Sequence, residues 1–165
     1  METMIKILFI CHGNICRSPM AEYVFHDMVQ KTREGTGSGE SFPQFHIASA
    51  ATSTEEIGNP VHRGTRAILK SHGIDPSEKR ARQMTWRDYE EYDYLIGMDQ
   101  WNLLNMRRIT DGDPEEKLSR LLDFTDAPGD IADPWYTGDF ETTYRDVVRG
   151  CRGLLAHILG ESYKS

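Results

Sequence analysis

The sequence has few of the features that mark secreted, membrane-spanning or repetitive proteins. Cysteine occurs only three times in 165 residues, and this small, odd number argues against a disulfide scaffold and for a reducing compartment. The longest apolar run, 7–11, is far too short to cross a membrane. The amino-terminal stretch lacks the long apolar core and the small-residue cleavage site of a secretory signal. We therefore expect a cytoplasmic protein that does not associate with a membrane.

Positive charge is also scarce. Lysine and arginine number 19 against 26 acidic residues, so the net charge is −7. The average field then repels nucleic acid and anionic lipid, and we expect neither as a partner. Any site for an anion must be local, built from backbone dipoles and a few side chains. The length and the 38% hydrophobic content suit one domain, residues 1–165, with a full core.

Apolar patterning predicts strands that alternate with helices along the chain. Such an order is typical of an α/β fold with a parallel sheet covered on both faces, and ligands of such sheets bind beyond the carboxyl ends of the strands. The predicted strands are Met4–Ile10, 45–50 and 93–98; the predicted helices start at Pro19 and at Pro60 and cover 85–92, 99–110 and 140–159; 118–124 is either a strand or a helix, and 34–44 and 126–140 are loops.

The stretch CHGNICRSPMAE follows the first predicted strand directly. A loop that runs from a strand into a helix turns several backbone N–H groups towards one point, where the helix dipole adds positive charge. Gly13 allows close backbone approach and unusual dihedral angles, Asn14 tolerates left-handed backbone, and Arg17 offers a planar fork for two phosphate oxygens. Cys11 at the base of such a loop is expected to react as a thiolate, and Ser18 can donate a hydrogen bond to it.

A buried core cysteine followed by a helix cap is the alternative explanation of this stretch. A core cysteine and a helix cap do not require the pattern Cys-x5-Arg-Ser between a buried strand and a helix, so this pattern favours a phosphate-binding loop. A thiolate that attacks phosphorus forms a cysteinyl phosphate, and the leaving oxygen then needs a proton. Asp133 in DPWY, on a loop stiffened by proline, is the candidate donor. Trp135 and Tyr136 are either walls of a slot for a flat ring or ordinary core residues.

Several stretches together resemble the low-molecular-weight protein tyrosine phosphatases, from Met4 to about Leu159. They are CHGNICRSPMAE, ASAATS, EIGNPVHRGTRAILKSHGI, ARQMT, MDQWN and DPWY. The resemblance implies a single-domain, three-layer α/β fold with a four-stranded parallel sheet and a phosphate-binding loop after strand one. It also implies a cytoplasmic enzyme that needs no metal and no cofactor and hydrolyses phosphotyrosine proteins and aryl phosphate monoesters. Members of the family can self-associate weakly, so we expect a monomer or a weak homodimer.

The same resemblance assigns roles to individual positions. It implies that Cys11 is the nucleophile, that Arg17 clamps the phosphate, and that Asp133 acts first as acid and then as base. Ser49 and His72 match the family's supporting hydrogen-bond network, together with Asn14 and Ser18. The residues expected to bind the substrate are His12, Gly13, Asn14, Ile15, Cys16, Ser18, Glu55, Trp135 and Tyr136.

This chain departs from the family pattern in two places. Many members carry an aromatic residue in the loop before IGNP, where this chain has Glu55 in TSTEEIGNP, so substrate preference cannot be carried over. The link between the first helix and the second strand, which includes 34–44, is longer than usual and suggests no function.

Cys16 is either a small packing residue or a partner thiol that forms a reversible disulfide with Cys11. Cys151 lies on the apolar face of the last helix, where we expect it to be inert.

Three other functions are compatible with part of the pattern. Arsenate reductases of similar fold share the Cys-x5-Arg loop but relay a disulfide through further cysteines, and residues 17–150 contain none. A phosphocarrier module of a sugar-transport system also keeps a phosphocysteine after strand one, yet it must not hydrolyse its phosphate and has no use for Arg17 or Asp133. A non-catalytic phosphotyrosine binder does not need all of Cys11, Arg17 and Asp133.

Overall fold

The computed structural model describes residues 4–36 and 42–160. Four parallel strands form one sheet in the order β2-β1-β3-β4. They are β1 (Met4–Cys11), β2 (Gln44–Ala51), β3 (Tyr94–Gly97) and β4 (Leu118–Arg120). The predicted four-stranded parallel sheet is therefore confirmed. The carboxyl ends of the two central strands, β1 and β3, lie side by side and carry the residues of the candidate site.

Helices cover both faces of this sheet. They are α1 (Arg17–Gly35), α2 (Arg63–Ser71), α3 (Arg87–Glu91), α4 (Gln100–Thr110), α5 (Pro134–Thr137) and α6 (Phe140–Leu159). Alternate residues of β1 point to opposite faces. Ile7 and Phe9 pack in a core with α1, α2 and α6, whereas Leu8 and Ile10 pack in a second core with α3 and α4. All four side chains are completely buried, and the predicted three-layer arrangement is confirmed.

The predicted helix starts need correction. α1 begins at Arg17 with Cys16 as its N-cap, so Pro19 is its third residue rather than its first. This position still lies in the first turn, where a missing N–H costs nothing. α2 begins at Arg63 after the N-cap His62, while Pro60 lies before it in an isolated bridge with Arg80.

Two other segments resolve ambiguities of the sequence. Residues 118–124 form both candidate structures in succession, because β4 runs directly into a 3-10 turn, Leu121–Phe124. The predicted loop 126–140 contains the short helix α5, which places Asp133 at a helix N-cap. Of the predicted loop 34–44, residues 37–41 lie outside the described residues. Within 4–36 and 42–160, no helix is long and apolar enough to cross a membrane.

Candidate active site

Residues 11–18, from the last residue of β1 to the second residue of α1, are named the 11–18 loop. Hydrogen bonds from neighbouring segments to its carbonyl oxygens hold this loop in place. The backbone N–H groups of Thr52 and Ser53 donate to the first two carbonyls of the loop, each at 3.0 Å. Further along, the backbone N–H of His62 donates to the Ile15 carbonyl at 2.8 Å, and the Thr65 hydroxyl donates to that of residue 16 at 3.3 Å. These hydrogen bonds tie the backbone of the loop to the segments around it.

The tight turn of the 11–18 loop falls at Asn14, which has φ of 60°. The predicted tolerance of Asn14 for left-handed backbone is thus used. Gly13, by contrast, is not among the glycines with positive φ. A Cβ added at Gly13 would lie 3.4 Å from Cγ of Glu56, in ordinary contact. Neither backbone strain nor a steric clash therefore requires glycine at position 13.

The sulfur of Cys11 lies at the base of this loop, and the Cys11 residue as a whole is 3% exposed. The backbone N–H groups of Asn14 and Ser18 point at Sγ from 3.3 and 3.4 Å. The Ser18 hydroxyl lies 3.1 Å from the same sulfur. Two backbone N–H donors and the Ser18 hydroxyl thus surround one buried sulfur, and all three can donate to a thiolate at this position.

A row of polar side chains continues from Ser18 towards β2. The Asn14 amide donates to Ser18 Oγ at 2.8 Å and to Ser49 Oγ at 2.9 Å. Ser49 in turn donates to a Glu22 carboxylate oxygen at 2.5 Å. The structure therefore brings Asn14, Ser18 and Ser49 together as the sequence predicts. Glu22 was missed, although it follows Ser18 by one turn of α1 and so shares its face.

The end of this row is Lys79 and not His72. Lys79 Nζ donates to the Ser49 carbonyl at 2.8 Å and lies 3.4 Å from Glu22. Burial lowers the pKa of Lys79, and the charge and hydrogen bond of Glu22 partly offset this effect. The predicted network position of His72 is wrong. His72 is an exposed C-cap residue of α2, and its ring stacks on Tyr144 with centroids 4.3 Å apart.

We expect Lys79→Met to destabilise the fold. The Lys79 and Glu22 side chains are 12% and 17% exposed, so the substitution leaves a largely buried carboxylate unpaired. The free energy of unfolding, measured in urea, should fall by about 2–4 kcal/mol. Lys6→Met is the matched control, because the Lys6–Glu91 pair is 38% and 56% exposed and should contribute less than about 1 kcal/mol. Equal losses in the two variants would contradict a special role for Lys79.

Arg17 lies behind the loop and binds two carboxylates. Its Nη1 donates to Asp99 at 2.6 Å and to the Ile131 carbonyl at 3.0 Å. Its Nη2 lies 3.4 Å from Asp133. Asp99 was also missed, yet a signal exists in the sequence: it follows β3, whose carboxyl end adjoins that of β1. Asp99 therefore orients the guanidinium by a contact from the neighbouring strand.

The environment of Arg17 keeps it charged although the residue is buried. Burial opposes the cation, but the negative charges of Cys11, Asp133 and Asp99 and the hydrogen bond that Arg17 donates to Asp99 outweigh it and raise the pKa of Arg17. Within the described residues, the buried Nε–H of Arg17 has no hydrogen-bond partner. A cationic donor beside the loop is thus available to an anion.

A pocket of about 110 Å³ opens above Cys11. Trp135 and Tyr136 form part of its wall and are 59% and 84% exposed, so they are not core residues. The complete lining is Cys11, His12, Gly13, Ile15, Cys16, Glu55, Glu56, Asp133, Trp135 and Tyr136. The structure therefore brings the nucleophile candidate and the acid candidate to one small pocket with aromatic side chains at its mouth.

Asp133 enters this pocket from the N-cap position of α5. One carboxylate oxygen accepts the backbone N–H of Trp135 at 3.0 Å, and the other faces Arg17. Proline at the first position of the helix fixes the backbone directly after the aspartate. The carboxylate is thus held by its own helix on one side and by the guanidinium on the other.

The acidic rim of the pocket consists of Glu55 and Glu56. A Glu55 carboxylate oxygen lies 2.9 Å from His12 Nε2, and both side chains of this pair are more than half exposed. Glu56 accepts the side-chain amide of Asn59 at 2.9 Å. Both carboxylates line the pocket, so the residue where the family often has an aromatic wall presents negative charge here.

All three cysteines are free thiols, but only Cys11 lies among converging donors. Burial, followed by the negative charges of Cys11 and Asp133, raises the pKa of Cys16 to about 12. Burial alone raises the pKa of Cys151, which is completely buried. Both thiols therefore stay protonated near neutral pH, and Cys151 sits in the α1–α6 core as predicted.

Comparison with known proteins decides the family. The sequence model described as "Low molecular weight phosphotyrosine protein phosphatase" matches residues 6–164. The chain belongs to this family. The parallel four-stranded sheet and the position of Cys11 at the end of its first strand are consistent with the fold of this family. The family resemblance of the sequence is thereby confirmed.

Relatives of this low molecular weight phosphatase cover nearly its whole length. The "Low molecular weight protein-tyrosine-phosphatase YfkJ" of Bacillus subtilis is 39% identical over 161 residues, 96% of this chain and 98% of that protein. The human "Low molecular weight phosphotyrosine protein phosphatase" is 40% identical over 155 residues, 91% of this chain and 93% of the human protein. The crystal structure of YfkJ superposes with a TM-score of 0.84 over 95% of this chain and 96% of YfkJ.

Proposed function

We propose that the protein is a protein tyrosine phosphatase that hydrolyses phosphotyrosine and aryl phosphate monoesters through a cysteinyl-phosphate intermediate. The observation that carries this proposal is the meeting of Cys11 and Asp133 in one pocket, with two backbone N–H donors and the Ser18 hydroxyl at the Cys11 sulfur. The names of the relatives support the same activity. Cys11 is the nucleophile, Arg17 the phosphate clamp, and Asp133 the general acid and then the general base.

The first step transfers the phosphoryl group to sulfur. The Cys11 thiolate attacks phosphorus, an S–P bond forms, and the P–O bond to the leaving group breaks. Asp133 gives its proton to the leaving oxygen, so that a neutral phenol departs and a carboxylate is left. The position of Asp133 in the pocket wall above Cys11 supports this role, because the leaving oxygen must lie on the side of phosphorus opposite to sulfur.

Arg17 and the loop amides hold the transferred group. The Nε–H of Arg17 has no partner within the described residues, and its Nη2 makes only a long contact of 3.4 Å with Asp133. These two groups form one edge of a planar fork that fits two phosphate oxygens. The positive end of α1 adds to the attraction. Phosphate therefore competes with Asp133 for the guanidinium of Arg17.

The second step releases inorganic phosphate. Asp133, now a carboxylate, takes a proton from a water molecule whose oxygen attacks phosphorus. An O–P bond forms and the S–P bond breaks, so the electron pair returns to the Cys11 sulfur. The hydroxyl of Ser18, 3.1 Å from Sγ, and the two backbone N–H groups stabilise the departing thiolate.

The experiment that tests this function is phosphate release from phosphotyrosine, phosphoserine and aryl phosphate compounds, with and without a chelator. We expect turnover of the aryl compounds and of phosphotyrosine, little of phosphoserine, and no effect of the chelator. A phosphocarrier would give a single burst and no turnover, and a non-catalytic binder would give neither. Either result would overturn the proposal.

We also propose that the enzyme acts on phosphotyrosine proteins in the cytoplasm, as one domain over residues 1–165 and as a monomer or weak homodimer. The free thiols support a reducing compartment, since a thiolate nucleophile is lost when it is oxidised. Light scattering over a range of protein concentrations tests the oligomeric state, and cell fractionation tests the location.

The acidic rim predicts a charge preference among peptides. Glu55 and Glu56 should repel acidic residues that flank a phosphotyrosine, but the Glu55–His12 pair is exposed and screened. We therefore expect basic-flanked peptides to exceed acidic-flanked ones only a few-fold in kcat/KM, roughly within 1 kcal/mol. The ratio should fall at high salt, and Glu55→Gln or Glu56→Gln should reduce it.

Glu115→Gln is the control for this prediction. Glu115 is exposed and lies before β4, at the opposite end of the parallel strands from Cys11. Glu115→Gln removes one negative charge from the protein, as each rim variant does, but leaves Glu55 and Glu56 unchanged. If Glu115→Gln changes the ratio of basic to acidic peptides as much as the rim variants do, the preference belongs to net charge and not to the rim.

A further inference from the structure

His62 lies where three parts of the candidate site meet. Its backbone N–H donates to the Ile15 carbonyl at 2.8 Å, which ties it to the 11–18 loop. It is also the N-cap of α2, so its main chain cannot shift without disturbing both elements. His62 lies in the stretch EIGNPVHRGTRAILKSHGI, but the sequence assigns it no role of its own, and its importance emerges only from its contacts.

The side chain of His62 is fixed by the cap itself. Its Nδ1 accepts the backbone N–H of Gly64 at 3.0 Å, which satisfies one of the free donors of the helix end. The cap requires that Nδ1 carry no proton. Burial, followed by the charges of Arg63 and Arg66, lowers the pKa of His62, with Glu56 acting in the opposite direction. The ring is therefore held in one orientation and in the neutral form.

The fixed ring supports the segment that carries Asp133, residues 131–140, which we name the acid segment. The Trp135 ring meets the His62 ring edge-on, with centroids 5.7 Å apart and planes at 77°. The Phe140 ring stacks on it at 5.3 Å and 15°. Gly64 makes this stacking possible, because a Cβ there would lie 2.4 Å from Phe140 Cζ.

The other end of the acid segment is held separately. The Ile131 N–H donates to the Met98 carbonyl at 2.9 Å, and the Ile131 carbonyl accepts Arg17 Nη1. Asp133 thus lies between a backbone anchor at Ile131 and an aromatic anchor at His62. The contact of Asp133 with Arg17, 3.4 Å, is longer than the contacts of Arg17 with Asp99 and Ile131. A bound phosphate also competes for that guanidinium. The two anchors must then position the carboxyl.

We infer that His62 is a positioning residue that seats the acid segment through Trp135 and Phe140 and so keeps Asp133 above Cys11 when the substrate is bound. This inference rests on the proposed function of Asp133 as proton donor. Loss of the ring should make Asp133 less often available for proton transfer. It should not change the 11–18 loop, whose contact with His62 is made by the main chain.

The test compares kcat/KM across aryl phosphates, from good leaving groups to poor ones. His62→Asn keeps an acceptor for the cap but removes the ring. Gly64→Ala leaves His62 in place and displaces the ring of Phe140. In both variants we expect kcat/KM to fall about 10-fold for the poorest leaving group and less than about twofold for the best, since only the former needs the proton. The affinity for inorganic phosphate should be unchanged.

His72→Asn is the matched control. His72 is also a stacked histidine of α2, but it lies at the other end of the helix and packs on Tyr144. It should leave kcat/KM unchanged for every leaving group. If His62→Asn reduces kcat/KM equally for good and poor leaving groups, or not at all, His62 does not position the acid and the inference is wrong.

A second readout does not depend on activity. With Trp86 and Trp101 replaced by phenylalanine, Trp135 is the sole tryptophan that fluoresces, since the sequence has three. His62→Asn in this background should increase quenching of Trp135 by acrylamide, whereas His72→Asn should not. Unchanged quenching would overturn the seating of the segment. Failure of the wild type to release phosphate would instead overturn the proposed function, so the two failures are distinguishable.

Discussion

Serine in place of Cys11 should abolish turnover while inorganic phosphate still binds. The hydroxyl is a far weaker nucleophile and leaving group than the thiolate, which three donors stabilise in this site. We expect kcat to fall by at least about 10⁴-fold, the scale on which removal of a covalent nucleophile acts in other hydrolases. Phosphate binding persists because the loop amides and Arg17 are unchanged. Steady-state assays and calorimetric titration with phosphate measure the two quantities.

Cys151→Ala is the control for this experiment. It also removes a buried thiol, but one within the core between α1 and α6, and the activity of the folded protein should be retained. Arg17→Lys provides the complementary variant, since an ammonium cannot reproduce the planar fork and phosphate binding should then weaken. Appreciable hydrolysis by Cys11→Ser would refute the thiolate mechanism.

Asp133→Ala should lower kcat by about 10²–10⁴-fold, the usual contribution of a positioned proton donor. The loss in kcat/KM should be smaller for phosphates whose leaving group departs without a proton. The aspartate also caps α5 through the Trp135 N–H, so alanine removes two functions at once. Asp133→Asn separates them, because an amide oxygen can keep the cap but cannot donate the carboxyl proton.

We expect Asp133→Asn to be as inactive towards poor leaving groups as Asp133→Ala. Asp126→Ala, an exposed aspartate of the same loop region, should behave like the wild type. The measurement is kcat/KM over a series of aryl phosphates of decreasing leaving-group acidity. An active Asp133→Asn, or equal losses across the series, would mean that Asp133 is a structural cap.

The sequence allows the prediction of the parts of the site that are local in the chain. Cys11, Arg17 and Ser18 lie within one strand–loop–helix unit, so their meeting follows from backbone geometry alone. The alternation of β1 side chains, and hence the burial on both faces, follows from the uninterrupted apolar run. Asp133 could be linked to this unit only by its chemistry and by the family resemblance, since nothing local in residues 126–140 indicates how far it lies from Cys11.

The parts that sequence reasoning missed depend on contacts between distant segments. His72 and Lys79 both follow α2 in the chain, and the prediction of His72 came from the family resemblance alone, not from any local pattern. The turn after α2 instead carries Lys79 to Glu22 and Ser49, while His72 packs on α6. The mixed segment 118–124 was ambiguous because two short elements share seven residues, fewer than either periodicity needs.

The bracing of the 11–18 loop by Thr52, Ser53, His62 and Thr65 also has a thermodynamic consequence. A free loop that closed around an anion would lose conformational entropy at that moment, and affinity would suffer by the same amount. Here that entropy is lost when the chain folds, because each hydrogen bond joins the loop to the residues that follow β2 or to the start of α2. The anion therefore encounters a loop that is already ordered, and the entropy of ordering it does not reduce the affinity.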